Sequence, residues 1–213
     1  MNKSNKKWII IAAVALLVVL LFAGGCSTYN GMVTAEESVN KSWANVQSSY
    51  QRRLDLIPNL VETVKGYAKH ESSTYENVTA ARAGAAKTVE QAGEDLISAK
   101  DAVSSFNGPD SSSPTAEQYS NLDKAYGIYI NAVHEAYPQL MANENFLDLQ
   151  KQLEGTENRI NTERNRYNEE VQTYNVKIRK FPANIFAGIF GFSTKQMFAA
   201  DQGAQNAPKV SFD

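Results

Sequence analysis

Apolar side chains recur at intervals of three and four residues along most of the chain, which is the spacing of an amphipathic α-helix. In the first such segment eight positions keep this spacing and predict a helix over residues 32–57: Met32, Ala35, Val39, Trp43, Val46, Tyr50, Leu54 and Ile57. Asp55 and Pro58 then resemble the cap and first turn of a new helix, since proline is tolerated where its missing N–H has no partner. We therefore expect the chain to turn at or near Pro58.

The second segment carries the longest regular pattern in the chain. Fourteen positions from Val61 to Phe106 alternate steps of three and four residues, which predicts one long helix packed as in a coiled coil. A straight helix over residues 58–106 would be about 73 Å long, whereas residues 33–57 rise only about 37 Å. Equal upright helices cannot accommodate that difference. We favour a bend near Gly84 over a tilted bundle with a hinge at Asn30 and Gly31.

Two further helices complete the predicted fold. Residues 107–114 contain a glycine, two prolines and three consecutive serines and predict a loop. A third helix follows as far as Pro138, and a fourth runs over residues 143–180 until Pro182 ends it. The prediction is an all-α protein, an antiparallel four-helix bundle with long helices behind an N-terminal membrane segment. Its expected parts are an anchor (1–27), a bundle (28–198) and a C-terminal tail (199–213).

The N-terminus predicts the membrane segment. Three lysines precede an apolar run from Trp8 to Ala23, and no charge reappears until Glu36. A helix of about 20 uncharged residues spans roughly 30 Å, the thickness of a bilayer core. Positively charged flanks stay in the cytoplasm, so we expect a single span with the bundle outside the cell membrane. The residues taken as the span include Trp8, Ile9, Leu16, Leu20 and Phe22.

Cys26 offers an alternative anchor. Ala23, Gly24, Gly25 and Cys26 resemble the cleavage site of a bacterial lipoprotein, in which the cysteine would become the lipid-bearing first residue. The length of the apolar run favours the retained helix. A single cysteine excludes an intrachain disulfide in either case.

The fourth helix has a polar middle, residues 154–164, with one large apolar side chain, Ile160. The simpler interpretation is a solvated helix face. The alternative is a partly buried polar layer, in which Arg52 or Arg53 pairs with Glu157 or Glu163, because both groups fall at about one height in the bundle. The heptad pattern also places two charged residues of the second segment, Glu71 and Arg82, on its inward face. The candidate polar layer is Arg52, Arg53, Glu71, Arg82, Glu157 and Glu163.

An apolar stretch follows the fourth helix. Its large side chains are Phe181, Ile185, Phe186, Ile189, Phe190 and Phe192. A cap folded over the open end of the bundle is the favoured interpretation. The alternative is a surface at the bilayer, since four alternating helices return the chain to its starting end.

Charge and candidate chemistry exclude several functions. Without Lys3, Lys6 and Lys7 the chain carries 18 basic and 23 acidic residues, an acidic balance that disfavours nucleic acid as a partner. His70 and His134 lie on different predicted helices without ligands at metal spacing. Since no nucleophile or phosphate-loop motif occurs, we expect neither an enzyme nor a cofactor.

The segments from Tyr29 to Glu71 and from Tyr137 to Phe192 resemble the two signature halves of the LemA family. The motifs are QRR followed by LIPNLV, and ENF followed by LEGTENRI. The resemblance implies an envelope protein with an N-terminal membrane segment and four helices, and it implies no catalytic residues. Cys26 departs from the family pattern, in which the membrane helix simply continues.

Two functions are compatible with these features. We expect a membrane-anchored extracytoplasmic scaffold in the cell envelope, whose partners are membrane lipid at the anchor and other envelope proteins. The alternative is a ligand-sensing or substrate-handling ectodomain with a polar cavity between its helices.

Overall fold

The computed structural model describes residues 3–74, 80–105 and 114–198, and within these ranges every regular element is a helix. The side chains of residues 3–7, 9–10, 17–18, 20–21, 74 and 80–82 also lie outside the description. The elements are α1 (Lys3–Thr74), α2 (Ala80–Ser104), α3 (Ala116–Ala136), a 3₁₀ helix (Pro138–Ala142), α4 (Glu144–Arg179) and α5 (Ala183–Phe190). The predicted all-α class is confirmed. The predicted parts 1–27, 28–198 and 199–213 stay a prediction.

The chain groups into two compact units. The first, which we call the terminal unit, joins Met1–Ala44 to Asn165–Met197. The second, the central unit, joins Asn45–Arg164 to Phe198–Asp213. Both α1 and α4 contribute residues to each unit.

In the terminal unit α1 and α4 run in opposite directions. Gly31 lies against Lys177, and the ring of Trp43 lies 5.1 Å from that of Tyr167, so residue numbers rise on one helix as they fall on the other. Gly191, at φ +78°, ends α5 in the left-handed region that glycine adopts freely. The chain then returns along α4, where the Asn175 side chain donates to Lys195 O and accepts from Lys195 N, each at 2.9 Å.

In the central unit four helical segments share one core. Tyr50 stacks on Tyr119, and Tyr67 contacts Tyr137 just after α3. The residue numbers of these contacting pairs increase together, so α1 and α3 are parallel. On α3 and α4 they run oppositely, since Asp123 pairs with Arg164 whereas His134 lies beside Gln150. α3 begins at a capping box, in which Thr115 and Gln118 each bind the other's backbone N–H.

The predicted turn at Pro58 is wrong, because α1 continues through this residue to Thr74. Proline in a helix interior removes one hydrogen bond and costs about 3 kcal/mol. Burial of apolar side chains before and after Pro58 offsets that cost. The side chains of Leu54, Ile57, Leu60 and Val61 are all buried.

The predicted long helix over residues 61–106 is also wrong. A Cβ built on Gly93 would lie 3.9 Å from Val61, yet a continuous helix would separate these residues by about 48 Å. α1 and α2 are therefore separate helices that pack side by side, and residues 75–79 between them lie outside the described residues. The predicted bend near Gly84 is not needed, since Gly84 lies within α2. The predicted loop at 107–114 falls outside the description except for Pro114.

The close approach at Gly93 gives a stability prediction. A Cβ there would lie 3.2 Å from Tyr129 Cε2, whereas one at Gly84 would meet nothing within 4 Å. We expect Gly93→Leu to lower the free energy of unfolding by about 1–3 kcal/mol through overpacking. Gly84→Leu is the matched control on the same helix, and we expect it to be neutral or stabilising by up to about 1 kcal/mol. Urea denaturation followed by circular dichroism measures both, and equal midpoints would contradict the packing assignment.

Candidate functional site

A buried arginine lies at the centre of the central unit. Arg53 is 1% exposed and projects from α1 between the buried residues Tyr50 and Ile57. Its Nη1 donates to Asp123 Oδ1 of α3 at 2.5 Å, and its Nη2 donates to Glu157 Oε2 of α4. One guanidinium thus connects three helical segments.

Two more charged or polar side chains extend this contact. Arg164 Nη1 of α4 lies 3.2 Å from Asp123 Oδ2, and the Tyr50 hydroxyl donates to the same oxygen at 2.7 Å. We call Tyr50, Arg53, Asp123, Glu157 and Arg164 the ionic cluster. Both oxygens of Asp123 are therefore used by the cluster itself.

Aromatic rings surround the cluster. Tyr50 and Tyr119 stack with centroids 4.0 Å apart, and the Arg53 guanidinium carbon lies 5.3 Å from the Tyr126 ring centroid. Burial raises the pKa of Tyr119 to about 12. Burial and, second, the Asp123 carboxylate raise the pKa of Tyr50 above its ordinary value. Both hydroxyls stay neutral at physiological pH, and that of Tyr50 donates to Asp123.

The arrangement suits structure better than chemistry. A buried guanidinium is costly unless opposite charges and hydrogen bonds compensate it, and here two carboxylates do so. Such layers fix which side chains face each other along a bundle. The Glu157 side chain remains 45% exposed, so the cluster reaches solvent on the α4 side.

The structure brings together two of the six residues of the predicted polar layer, Arg53 and Glu157. Arg52 points outward and reaches Gln152 at 3.4 Å, and the side chain of Arg82 lies outside the described residues. Glu163 is half-buried on α4. Glu71 is half-buried near the end of α1 and lines a separate cleft.

Sequence reasoning missed Asp123 and Arg164. Asp123 follows Tyr119 by four residues and precedes Tyr126 by three, so it lies beside the inner stripe of α3. Arg164 follows the buried Ile160 by one turn. A charge at helical spacing from inward-facing residues was the available signal in both cases.

The separate cleft opens between α1 and α2. Its volume is about 490 Å³, and the described residues lining it include Glu71 but neither Glu157 nor Glu163. This cleft is therefore not the polar cavity expected around Glu157 and Glu163, which stays a prediction. The cleft has an apolar floor instead, which includes Val61, Val64, Val89, Tyr129 and Tyr137.

The C-terminal apolar residues form an exposed surface in the terminal unit. Phe181 is 81% exposed and Ile189 70%, and Ile185 and Phe190 are also exposed. Phe186 and Phe192 are half-buried, because Phe186 lies against Gly25 and Phe192 against Tyr29. The favoured cap interpretation is wrong for α5, whose large side chains mostly face outward.

The predicted anchor residues lie in the first part of α1. Trp8, Leu16 and Phe22 are exposed, as is the free thiol of Cys26, and the side chains of Ile9 and Leu20 lie outside the description. Over the residues that the structure describes, no helix combines the length and the apolar character that crossing a membrane requires.

Potential metal ligands do not converge in the described ranges. Nowhere in them do three histidine, cysteine or acidic side chains come together as a metal would require. His134 Nε2 lies 3.3 Å from Gln150 Nε2, and His70 is an exposed residue of α1.

Comparison with known proteins identifies the family. The LemA family model matches residues 42–212, which include nearly all of the central unit. The chain belongs to the LemA family. The magnetosome proteins MamQ 1 and MamQ 2 of Paramagnetospirillum magneticum are each 27% identical over 197 residues, covering 89% of this chain and 69% of the relative. Both motifs that indicated the family, QRR and LEGTENRI, contribute to the ionic cluster through Arg53 and Glu157.

Adjacent arginines give a test of the ionic cluster. We expect Arg53→Leu to destabilise the protein by about 3–5 kcal/mol, because it leaves the Asp123 carboxylate without its main buried partner. Arg52→Leu removes the same charge from the exposed neighbour and should change stability by less than about 0.5 kcal/mol. Chemical denaturation of both variants distinguishes them. A similar loss at the two positions would contradict the role assigned to Arg53.

Proposed function

We propose that this protein is a membrane-associated extracytoplasmic scaffold of the cell envelope, not an enzyme, and that the α5 surface rests on the bilayer. One observation carries the proposal: α5 buries its alanines and exposes its isoleucines. Ala183 and Ala187 are buried, whereas Ile185 and Ile189 are exposed. A helix on a water-soluble surface has the opposite arrangement.

The position of α5 supports a bilayer contact. Phe186 lies against Gly25, and Tyr29 makes edge-to-face contacts with Phe190 and Phe192 at centroid distances of 4.9 and 5.7 Å. α5 is therefore seated where the apolar N-terminal run ends. Small residues at a helix contact with large apolar residues outside are typical of helices in lipid.

Basic side chains accompany this surface. Lys177 and Arg179 lie in the last turn of α4, and Lys180 follows immediately before Phe181. Lysine and arginine beside an exposed apolar helix are typical of segments that lie in the headgroup region, where they contact lipid phosphates.

For the anchor we propose the retained helix, with its N-terminus cytoplasmic. Trp8, Ile11, Leu16, Val19 and Phe22 are large apolar side chains, and each is exposed on α1. Such a surface requires an apolar cover. The alternative is lipid attachment at Cys26, for which the exposed thiol is accessible.

The scaffold role rests on rigidity in the central unit. The ionic cluster connects α1, α3 and α4 by charged hydrogen bonds, in which both carboxylate oxygens of Asp123 take part. A unit held in this way presents a fixed surface to partners. LemA membership supports this role, since the family resemblance implies an envelope protein without catalytic residues.

Site-directed spin labelling tests the bilayer contact. In a Cys26→Ser background, Ile189→Cys and Ile128→Cys each provide one label on an exposed isoleucine, of α5 and α3 respectively. In liposomes we expect the label at 189 to be accessible to oxygen and shielded from a water-soluble nickel reagent, because its surroundings become apolar. The label at 128 should stay accessible to nickel. Equal nickel accessibility at both positions would refute the contact.

Affinity capture tests the scaffold role separately. We expect the intact protein, captured from native membranes after cross-linking, to retain a reproducible set of envelope proteins. Arg53→Leu should lose much of that set, because its central unit is loosened, whereas Arg52→Leu should retain it. The same recovery from both variants, or recovery of no envelope protein from the intact chain, would contradict a scaffold that depends on this unit.

A further inference from the structure

The cleft in the central unit has the composition of a ligand site. It lies between residues 61–72 of α1 and 86–93 of α2, and its volume of about 490 Å³ falls within the range of about 300–1,000 Å³ typical of small-molecule sites. Small side chains create the space. Ala68 on α1 and Ala86 on α2 line the opening, and Gly93 lets α2 approach Tyr129 beneath it.

The floor of the cleft is apolar and shielded from solvent. Val61, Val64 and Val89 line it, and each is at least 95% buried. Tyr129 and Tyr137 add two aromatic rings, and burial raises the pKa of Tyr129 so that its hydroxyl stays neutral. An alkyl chain placed there would exchange water for contacts with aliphatic and aromatic side chains.

The rim is charged, with an excess of lysine. Lys65, Lys69 and Glu71 line it on α1, and Lys87 and Glu90 line it on α2. Lys65 lies 3.7 Å from Glu62, outside the cleft. Lys69 and Lys87, one on each helix, make no ion pair with any other residue that the structure describes. Two cations on opposite sides of an apolar slot are complementary to one anionic group above a chain.

We propose that this cleft binds a single-chain fatty acid, with the alkyl chain on the valine and tyrosine floor and the carboxylate between Lys69 and Lys87. A lysine ammonium and a carboxylate form a charge-assisted hydrogen bond, which is among the stronger polar contacts in proteins. The inference is independent of the α5 surface, because the cleft lies wholly within Asn45–Arg164 and α5 in the other unit.

Photolabelling of the full chain in phosphatidylcholine nanodiscs tests the site. The probe is a palmitate analogue with a diazirine near the end of its chain, and peptide mass spectrometry locates the labelled residues. We expect labelling of segments 61–72 and 86–93 that excess palmitate suppresses. Labelling confined to residues 8–22 and 181–192, the exposed apolar surfaces, would overturn the proposal.

A filling variant tests whether the chain occupies the cleft. We expect Ala68→Leu with Ala86→Leu to lower labelling of both segments about tenfold, because the added side chains take the space of the ligand. Ala102→Leu is the matched control, an exposed alanine of α2 that does not line the cleft. Equal labelling of the filled variant and the control would show that the probe reacts from outside and would overturn the site.

Substitution of the two lysines tests the carboxylate contact without altering the floor of the cleft. This measurement tests the proposal even if the filled variant does not fold. We expect Lys69→Gln with Lys87→Gln to weaken palmitate competition about tenfold, as for loss of a charge-assisted contact. Lys151→Gln, at an exposed lysine of α4, should leave it unchanged. Hexadecanol should compete about tenfold less well than palmitate with the unaltered chain. Equal competition by the alcohol and the acid would overturn the carboxylate assignment.

Discussion

The buried guanidinium of Arg53 is the constraint on which the central unit depends. The desolvation cost of burying this charge is offset only if carboxylates surround it. Here they are Asp123 from α3 and Glu157 from α4. That requirement fixes how far α3 and α4 can slide along α1, because a shift of one turn, about 5.4 Å, would break both pairs. Apolar side chains alone would tolerate such a shift more readily, since one heptad resembles the next. The ionic cluster therefore selects one register from several that the apolar stripe permits.

The sequence was sufficient to predict that the chain is helical, but it did not predict where one helix ends and the next begins. The stripe through Leu54, Ile57, Val61 and Val64 keeps its spacing across Pro58, and this continuity correctly indicates that α1 passes through the proline. The local cost of Pro58 suggested a turn, but buried side chains on both sides of it outweigh that cost. The same spacing also continues from the end of α1 into α2, although these are two separate helices. A heptad pattern reports which face of each helix is buried, and two helices that pack on each other can share one phase by coincidence.

The site could be predicted in part for a related reason. Height along the first and fourth segments placed Arg53 and Glu157 at one level, and this estimate needs only the rise per residue. The height of Asp123 could not be estimated in the same way. It depends on where α3 begins along the bundle, and a residue count does not determine that. The cleft between α1 and α2 was inaccessible to sequence reasoning as well, since it exists only once Val61 and Gly93 are neighbours. The incorrect connections in the predicted fold thus concealed both Asp123 and the cleft.

The two units place charge and apolar surface in opposite ways, and this contrast bears on function. In the central unit a guanidinium is inside, at a desolvation cost that only exact partners offset. In the terminal unit Ile189 and Phe181 are outside, where water would disfavour them, while the alanines of α5 are inside. Half a turn of α5 about its axis would place its isoleucines where its alanines now lie. The outward orientation is stable if the medium around α5 is itself apolar. The neighbouring Gly25 marks the end of the apolar N-terminal run, so the lipid proposed to surround that run is also the medium that α5 requires.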